Sequence, residues 1–100
     1  ADVTGKVVWN DELQQGYMLL SNMPVNDPAT TQYQLWVVDS DRDANPVDGG
    51  VFDIPEGETT VIIPINAKLA VSGPEAFAIT REKPGGVVVS KGPLLVVAAV

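Results

Sequence analysis

The sequence predicts an all-β domain, an antiparallel β-sandwich of about seven short strands that is immunoglobulin-like in architecture. Apolar and β-branched runs recur along the chain, and turn residues separate them roughly every 8 to 12 residues. No stretch of useful length has the 3.6-residue period of a helix. A hydrophobic fraction of 45% and a charged fraction of 19% are typical of a folded domain. We therefore expect residues 1–100 to form one domain with one core.

The first three strands are predicted at residues 3–9, 17–21 and 33–39. A polar stretch that ends at Gly16 separates the first two, which predicts a hairpin. Pro24 and Pro28 then remove backbone donors and restrict φ, so the chain between the second and third strands is predicted to be a crossing loop.

The third strand is apolar on both faces. Side chains alternate along a strand, so Tyr33, Leu35 and Val37 share one face, and Gln34, Trp36 and Val38 share the other. Neither face has the polar character of a solvated surface, which predicts a central strand. The acidic loop that follows is expected at the rim of the sandwich, where water hydrates the charges.

Four further strands are predicted at residues 47–53, 59–65, 75–82 and 94–100. Gly49 and Gly50 indicate a bulge or a close backbone approach in the fourth strand. Pro64 has no N–H group to donate, so the end of the fifth strand is predicted at a sheet edge. Residues 66–72 are predicted to form one helical turn.

The sixth predicted strand alternates between apolar and polar residues. Phe77 and Ile79 face away from Thr80 and Glu82, which predicts that one face of this strand is solvated. The Lys-Pro-Gly-Gly stretch at residues 83–86 then turns the chain.

The charge and the missing residue types exclude several function classes. The net charge is −7, and residues 39–58 hold seven of the 13 acidic residues but only Arg42 of the six basic ones. Nucleic acid and anionic lipid are poor partners for such a chain, because neutralising phosphates requires clustered Lys and Arg. Histidine and cysteine are both absent, which excludes Ser-His-Asp and Cys-His nucleophiles, zinc sites and histidine-ligated haem. We expect neither an enzyme nor a cofactor.

The acidic loop is the best candidate for a metal site. Asp39, Asp41 and Asp43 occupy alternate positions at the end of a strand and could direct oxygen ligands at Ca²⁺, with Asn45 and Asp48 as additions. The pattern departs from the helix-flanked calcium loop, because Ala44 and Gly50 stand where that loop requires Gly and Glu. A plain solvated loop is the alternative.

Four aromatic residues allow a second alternative, a platform for a sugar ring: Trp9, Tyr17, Trp36 and Phe77. Trp36 and Phe77 lie within apolar strands, so packing in the core is the preferred interpretation for them. Trp9 borders a polar loop and is the open case.

In order and spacing, several segments resemble the C-terminal domain of the anti-sigma-K factor family. The specific parts are the Tyr-Gln-Leu-Trp strand at residues 33–36 and the Thr-x-Glu-x-Pro-Gly-Gly turn at residues 80–86. Less specific parts are the Gly-Lys-Val-Val-Trp segment at 5–9, the segment at 16–24, the Gly-Val-Phe segment at 50–52 and Gly92-Pro93. The resemblance covers nearly the whole chain, although a more polar stretch is expected in place of Val87, Val88 and Val89.

The resemblance implies a non-catalytic regulatory domain from a bacterial single-pass inner-membrane anti-sigma factor. In such a protein, a cytoplasmic domain absent from this chain binds an extracytoplasmic-function sigma factor, and an absent transmembrane segment connects it to the outer domain. The chain is then the extracytoplasmic part, excised from a longer membrane-anchored protein, and a protease that cleaves the anchor is a further partner. The competing hypothesis is an extracellular module that binds a glycan or a cell-wall component through Trp9 and the loop at 39–48, with or without calcium.

Overall fold

The computed structural model describes residues 2–39 and 46–100 of the chain. These residues form seven strands in two antiparallel sheets, which confirms the predicted all-β sandwich. The strands are β1 (Thr4–Asn10), β2 (Gln15–Ser21), β3 (Gln32–Asp39), β4 (Val47–Phe52), β5 (Thr60–Pro64), β6 (Pro74–Glu82) and β7 (Val96–Ala99). The described part of the chain contains no helix long and apolar enough to cross a membrane.

The first sheet has the strand order β1-β2-β5. β1 and β2 form the predicted hairpin, in register from the Thr4–Ser21 pair to the Asn10–Gln15 pair. Among the described strands, β5 is an edge strand that pairs only with β2, so the missing N–H group of Pro64 removes no bond from the sheet. The prediction that Pro64 lies at an edge is confirmed.

The second sheet has the order β4-β3-β6-β7, which places β3 between two neighbours. Gln34 pairs with Val51 and Trp36 pairs with Asp48, so Gly49 and Gly50 together oppose Leu35. This is the predicted bulge: Gly50 has a φ of 106°, and a Cβ on Gly49 would lie 2.5 Å from Leu35 Cδ2.

The core lies between the two sheets. β3 contributes Tyr33, Leu35 and Val37, and β6 contributes Phe77 and Ile79, all with 0% exposure. Val96 and Ala98 of β7 also belong to the core, and Met18 and Leu20 of β2 and Ile63 of β5 close it from the first sheet. In β3 and β6, the residues that alternation placed together on one face therefore lie together in the core.

The predicted helical turn at residues 66–72 is wrong, because this segment is irregular, with bends at residues 68, 69 and 72 and no helical turn. The N–H groups of Asn66 and Lys68 donate to the carbonyl oxygens of Gly49 and Asp48, at 2.9 and 3.0 Å. These bonds extend the edge of β4 and replace the bonds within the segment that a helix requires.

The predicted solvated face of β6 is also wrong. Ala78 and Thr80 lie on that face and are 1% and 0% exposed. Residues 83–95, which we call the strap, leave the end of β6 and bond back onto the outer face of the second sheet. Gln34 and Ser90 provide two of these bonds, and at the end of the strap, next to β7, Leu95 N donates to the backbone of β6 at Ile79 O, at 2.8 Å. The strap therefore adds a partial third layer, which explains why β3 is buried on both faces.

Candidate functional site

Asp39, the first residue of the predicted calcium site, is 6% exposed at the end of β3. Its Oδ2 accepts from Ser72 N and its Oδ1 from Gly73 N, both at 3.1 Å. Both carboxylate oxygens thus hold the backbone that leads into β6. Asp48 lies in β4, and its Oδ1 accepts from Gly50 N at 2.8 Å. The other predicted ligands, Asp41, Asp43 and Asn45, lie outside the described residues, so the calcium site stays a prediction.

The proposed aromatic platform is not assembled on the surface. Trp36 and Phe77 are 2% and 0% exposed, which confirms that these two rings pack in the interior. The Trp9 ring packs against Phe77 with centroids 5.6 Å apart, and its Nε1 donates to Asp11 Oδ1 at 3.2 Å. Tyr17, on the outer face of the first sheet, keeps 41% exposure.

A partly buried chain of polar side chains lies between β3, β6 and the strap, and sequence reasoning missed it. Trp36 Nε1 donates to Thr80 Oγ1 at 2.9 Å, and Thr80 Oγ1 donates to Glu82 Oε2 at 2.6 Å. Ser90 Oγ of the strap donates to the same Glu82 oxygen. No buried side-chain nitrogen or oxygen of the described residues lacks a partner, so this layer is fully hydrogen-bonded.

Two glutamines attach loops to the sandwich in the same way. The side-chain amide of each donates to the C=O group and accepts from the N–H group of a single residue in the loop. Gln34 is 1% exposed; its Nε2 donates to Val87 O at 3.0 Å, and its Oε1 accepts from Val87 N at 2.9 Å. Gln14 makes the equivalent pair with Val71, both bonds at 2.8 Å. A signal for the first pair was present in the sequence, since a polar residue inside a strand apolar on both faces must find a partner.

Two shallow clefts adjoin each other at the end of the sandwich that carries the loop between β4 and β5. The larger, about 810 Å³, is lined by Val25, Asn26, Asp27, Pro28, Asp53, Ile54, Pro55 and Glu56. The smaller, about 450 Å³, is lined by Asp53, Pro55, Glu58 and residues 60–63 of β5. The shared Asp53 accepts from Asn26 Nδ2 at 2.9 Å and from Gln32 Nε2 at 3.1 Å. Both clefts are therefore acidic, and Asn26 and Gln32 hold the carboxylate of Asp53, which lines both.

Comparison with known proteins identifies the family. The model for the family described as anti-sigma-K factor rskA, C-terminal, matches residues 1–94. The chain belongs to the anti-sigma-K factor family. No curated protein and no solved structure gives a significant match. Membership makes this chain a regulatory domain of an anti-sigma factor. It also indicates that the protein is membrane-associated and that its partner is a sigma factor.

The residues that carry the resemblance to the anti-sigma-K factors have structural roles in this domain. The 33–36 motif supplies Tyr33 and Leu35 to the core, and Gln34 and Trp36 to the bonds beneath the strap. The 80–86 turn supplies Thr80 and Glu82 to the polar chain. Gly86, the last residue of this turn, allows Gln34 to approach the backbone closely. Its φ is 80°, and a Cβ there would lie 2.7 Å from Gln34 Oε1. The family motifs thus specify how the strap is fastened.

Proposed function

We propose that this chain is the extracytoplasmic regulatory domain of a membrane-bound anti-sigma factor that controls an extracytoplasmic-function sigma factor. The observation that carries the proposal is the family match over residues 1–94. A cytoplasmic domain absent from this chain binds the sigma factor, and a transmembrane segment absent from this chain connects the two. Proteolysis of the anchor releases the sigma factor, and the folded outer domain controls when the protease gains access.

The tight attachment of β1 supports control of this kind. All seven residues of β1 pair with β2, and Asn22 Nδ2 donates to Asp2 O at 3.0 Å just before the strand begins. Cleavage requires a segment that has left its folded partners, so its rate follows the population of the opened state. A stable sandwich therefore prevents a protease from binding the segment next to β1. A signal that opens the sandwich exposes that segment to cleavage.

Destabilising the core in the full-length membrane protein tests this proposal. Leu20→Ala removes a side chain with 0% exposure and costs roughly 2–5 kcal/mol of folding free energy. A loss of about 1–2 kcal/mol in folding free energy is enough to change the abundance of a protein in cells several-fold. We therefore expect less intact anti-sigma factor, and a several-fold rise in basal transcription from a promoter that depends on the sigma factor. An immunoblot for the membrane-proximal fragment is expected to show increased cleavage.

Leu69→Ala is the matched control, because it makes the same chemical change at a residue that is 53% exposed. It is expected to leave both the transcription and the fragment unchanged. Deletion of residues 1–100 is expected to raise basal transcription further. The proposal is wrong if this deletion leaves both basal and induced transcription unchanged.

The calcium-dependent ligand module stays a prediction with a test of its own. If Asp39, Asp41 and Asp43 bind Ca²⁺, an ion present at 100 times its Kd stabilises the folded state by about 2.7 kcal/mol. Millimolar Ca²⁺ is then expected to raise Tm, and a chelator to reverse the rise. An Asp41→Asn, Asp43→Asn double variant loses the response, while a Glu12→Gln, Glu75→Gln variant of equal charge change keeps it. A Tm that responds to neither calcium nor chelator contradicts the prediction.

A further inference from the structure

The outer edge of β5 presents backbone hydrogen-bonding groups that pair with no strand of the described residues. Asn22 N donates to Thr59 O at 2.8 Å, and Ile65 N donates to Gly16 O at 3.0 Å, so these two residue pairs are hydrogen-bonded pairs of the β2–β5 ladder. Such pairs recur at every second residue of an antiparallel ladder. Thr60 and Ile62 fall between them, so their N–H and C=O groups point away from β2. Within the described part of the chain, no other strand pairs with this side of β5.

The other sheet edges in the described residues are at least partly covered. β1 and β7 lie against each other along one side of the sandwich. The edge of β4 receives the N–H groups of Asn66 and Lys68. Among the described sheet edges, the outward groups of β5 are therefore the most accessible to a strand from another molecule.

The surface beside this edge is acidic and apolar. Glu58 and Pro55 line the cleft along β5, and the adjoining cleft adds Asp27 and Glu56. No Lys or Arg is among the described residues that line either cleft. Arg81, the basic residue joined to Tyr33 Oη at 2.9 Å, is not a lining residue.

This charge distribution selects the occupant. A second copy of the chain would bring another net charge of −7 and the same acidic clefts to the edge, which opposes pairing of two copies. A strand with basic side chains has the complementary charge. The side chain of Ile62, 64% exposed, offers an apolar contact to alternate residues of such a strand. Pro64 contributes only a carbonyl group, which limits the added ladder to a short segment.

We infer that the β5 edge docks a short, extended, basic segment of a partner protein, which adds to the first sheet as a fourth strand beside the acidic clefts. Backbone bonds to Thr60 and Ile62 supply the pairing, and Glu56 and Glu58 supply the charge preference. This inference is independent of the proposed sigma factor control, because its test needs only the purified chain and synthetic peptides.

A synthetic peptide that alternates lysine with valine is the probe. We expect it to bind the chain and to slow the hydrogen exchange of the Thr60 and Ile62 amides in nuclear magnetic resonance spectra. An equal-length peptide that alternates glutamate with valine is expected to bind about tenfold more weakly or worse. Affinity for the lysine peptide is expected to fall as salt is raised.

Ile62→Pro removes one outward donor without removing a bond to β2, as Pro64 already does in the same strand. This variant is expected to weaken binding about tenfold or more. Glu56→Gln, Glu58→Gln keeps the backbone edge intact and is expected to abolish the preference for the lysine peptide. The matched control is Glu12→Gln, Glu75→Gln, which changes two exposed glutamates outside the clefts and keeps wild-type affinity.

Four outcomes of the peptide experiments would overturn the inference. They are no binding of the lysine peptide, equal binding of the lysine and glutamate peptides, equal affinity of the Ile62→Pro variant, and peptide effects at Val8 and Tyr17 on the outer sheet face instead of at Thr60 and Ile62. A β5-mediated dimer in sedimentation experiments without peptide would also overturn it, in favour of a second copy as the occupant.

Discussion

Phe77→Ala is expected to lower the free energy of unfolding of this domain by about 3–5 kcal/mol. Phe77 has 0% exposure in the middle of β6, pairs with Val37 and Ala98 on the neighbouring strands, and packs against the Trp9 ring. Its removal leaves a cavity between the sheets that the surrounding strands fill only partly. Urea unfolding followed by tryptophan fluorescence measures the loss, since Trp36 is buried in the folded state.

Such a loss corresponds to a decrease in Tm of more than about 10 °C for a domain of this size. Phe77→Leu is a second variant with a smaller cavity, which keeps the measurement possible if the alanine variant does not fold. Val97→Ala is the control, because Val97 is 57% exposed on the adjacent strand and its truncation is expected to cost less than about 1 kcal/mol. Equal losses for Phe77→Ala and Val97→Ala would show that Phe77 is not part of a packed core.

Gln34→Glu is expected to destabilise the domain by roughly 3 kcal/mol or more at neutral pH. The substitution keeps the shape of the side chain but replaces the Nε2 donor, which lies 3.0 Å from Val87 O, with a carboxylate oxygen. A buried charge then faces a carbonyl group across a broken hydrogen bond, in a position with 1% exposure. The strap is expected to detach from the outer face of the second sheet.

The destabilisation is expected to depend on pH. A protonated carboxyl group at this position donates to Val87 O and restores the pair, so folding raises its pKa above the unfolded value of about 4.3. The variant's stability is therefore close to that of the wild type below about pH 4, and falls as pH rises towards the folded pKa. Urea unfolding of both proteins at each pH measures the difference.

Gln15→Glu is the matched control, since Gln15 is exposed at the start of β2 and the change in charge is the same. It is expected to show little effect at any pH. A Gln34→Glu variant as stable as the wild type at neutral pH would show that the strap does not depend on the Gln34–Val87 pair. Protection of the Val87 amide from hydrogen exchange provides a second readout of that pair.

The sequence predicted the strands well because their signals are local. The alternation in residues 33–39 separated core residues such as Leu35 from outward ones, and the double glycine located the bulge in β4. The failures came where a distant partner overrides the local pattern. Thr80 looked solvated because alternation does not show that the strap covers it, and residues 66–72 looked helical because the bonds of Asn66 and Lys68 to β4 are not visible in the local sequence.

The candidate site was harder to predict than the fold. Asp39, first considered as a metal ligand, accepts from the N–H groups of Ser72 and Gly73, more than thirty positions away. Two buried aromatic rings, Trp36 and Phe77, were correctly assigned to packing, because apolar neighbours along a strand indicate an interior position. The acidic clefts beside β5 escaped prediction, since they form where separate loops meet.

By itself, the sequence determined the all-β class, the grouping of side chains by face in β3 and β6, the edge position of Pro64 and the family, because each depends on residue type and short spacing. Only the tertiary structure decided the strand order, the strap over the second sheet and the open edge of β5. These features depend on contacts between residues far apart in the chain, such as Gln34 and Val87, and the hydrogen bonds that create them exist only after the sheets have packed.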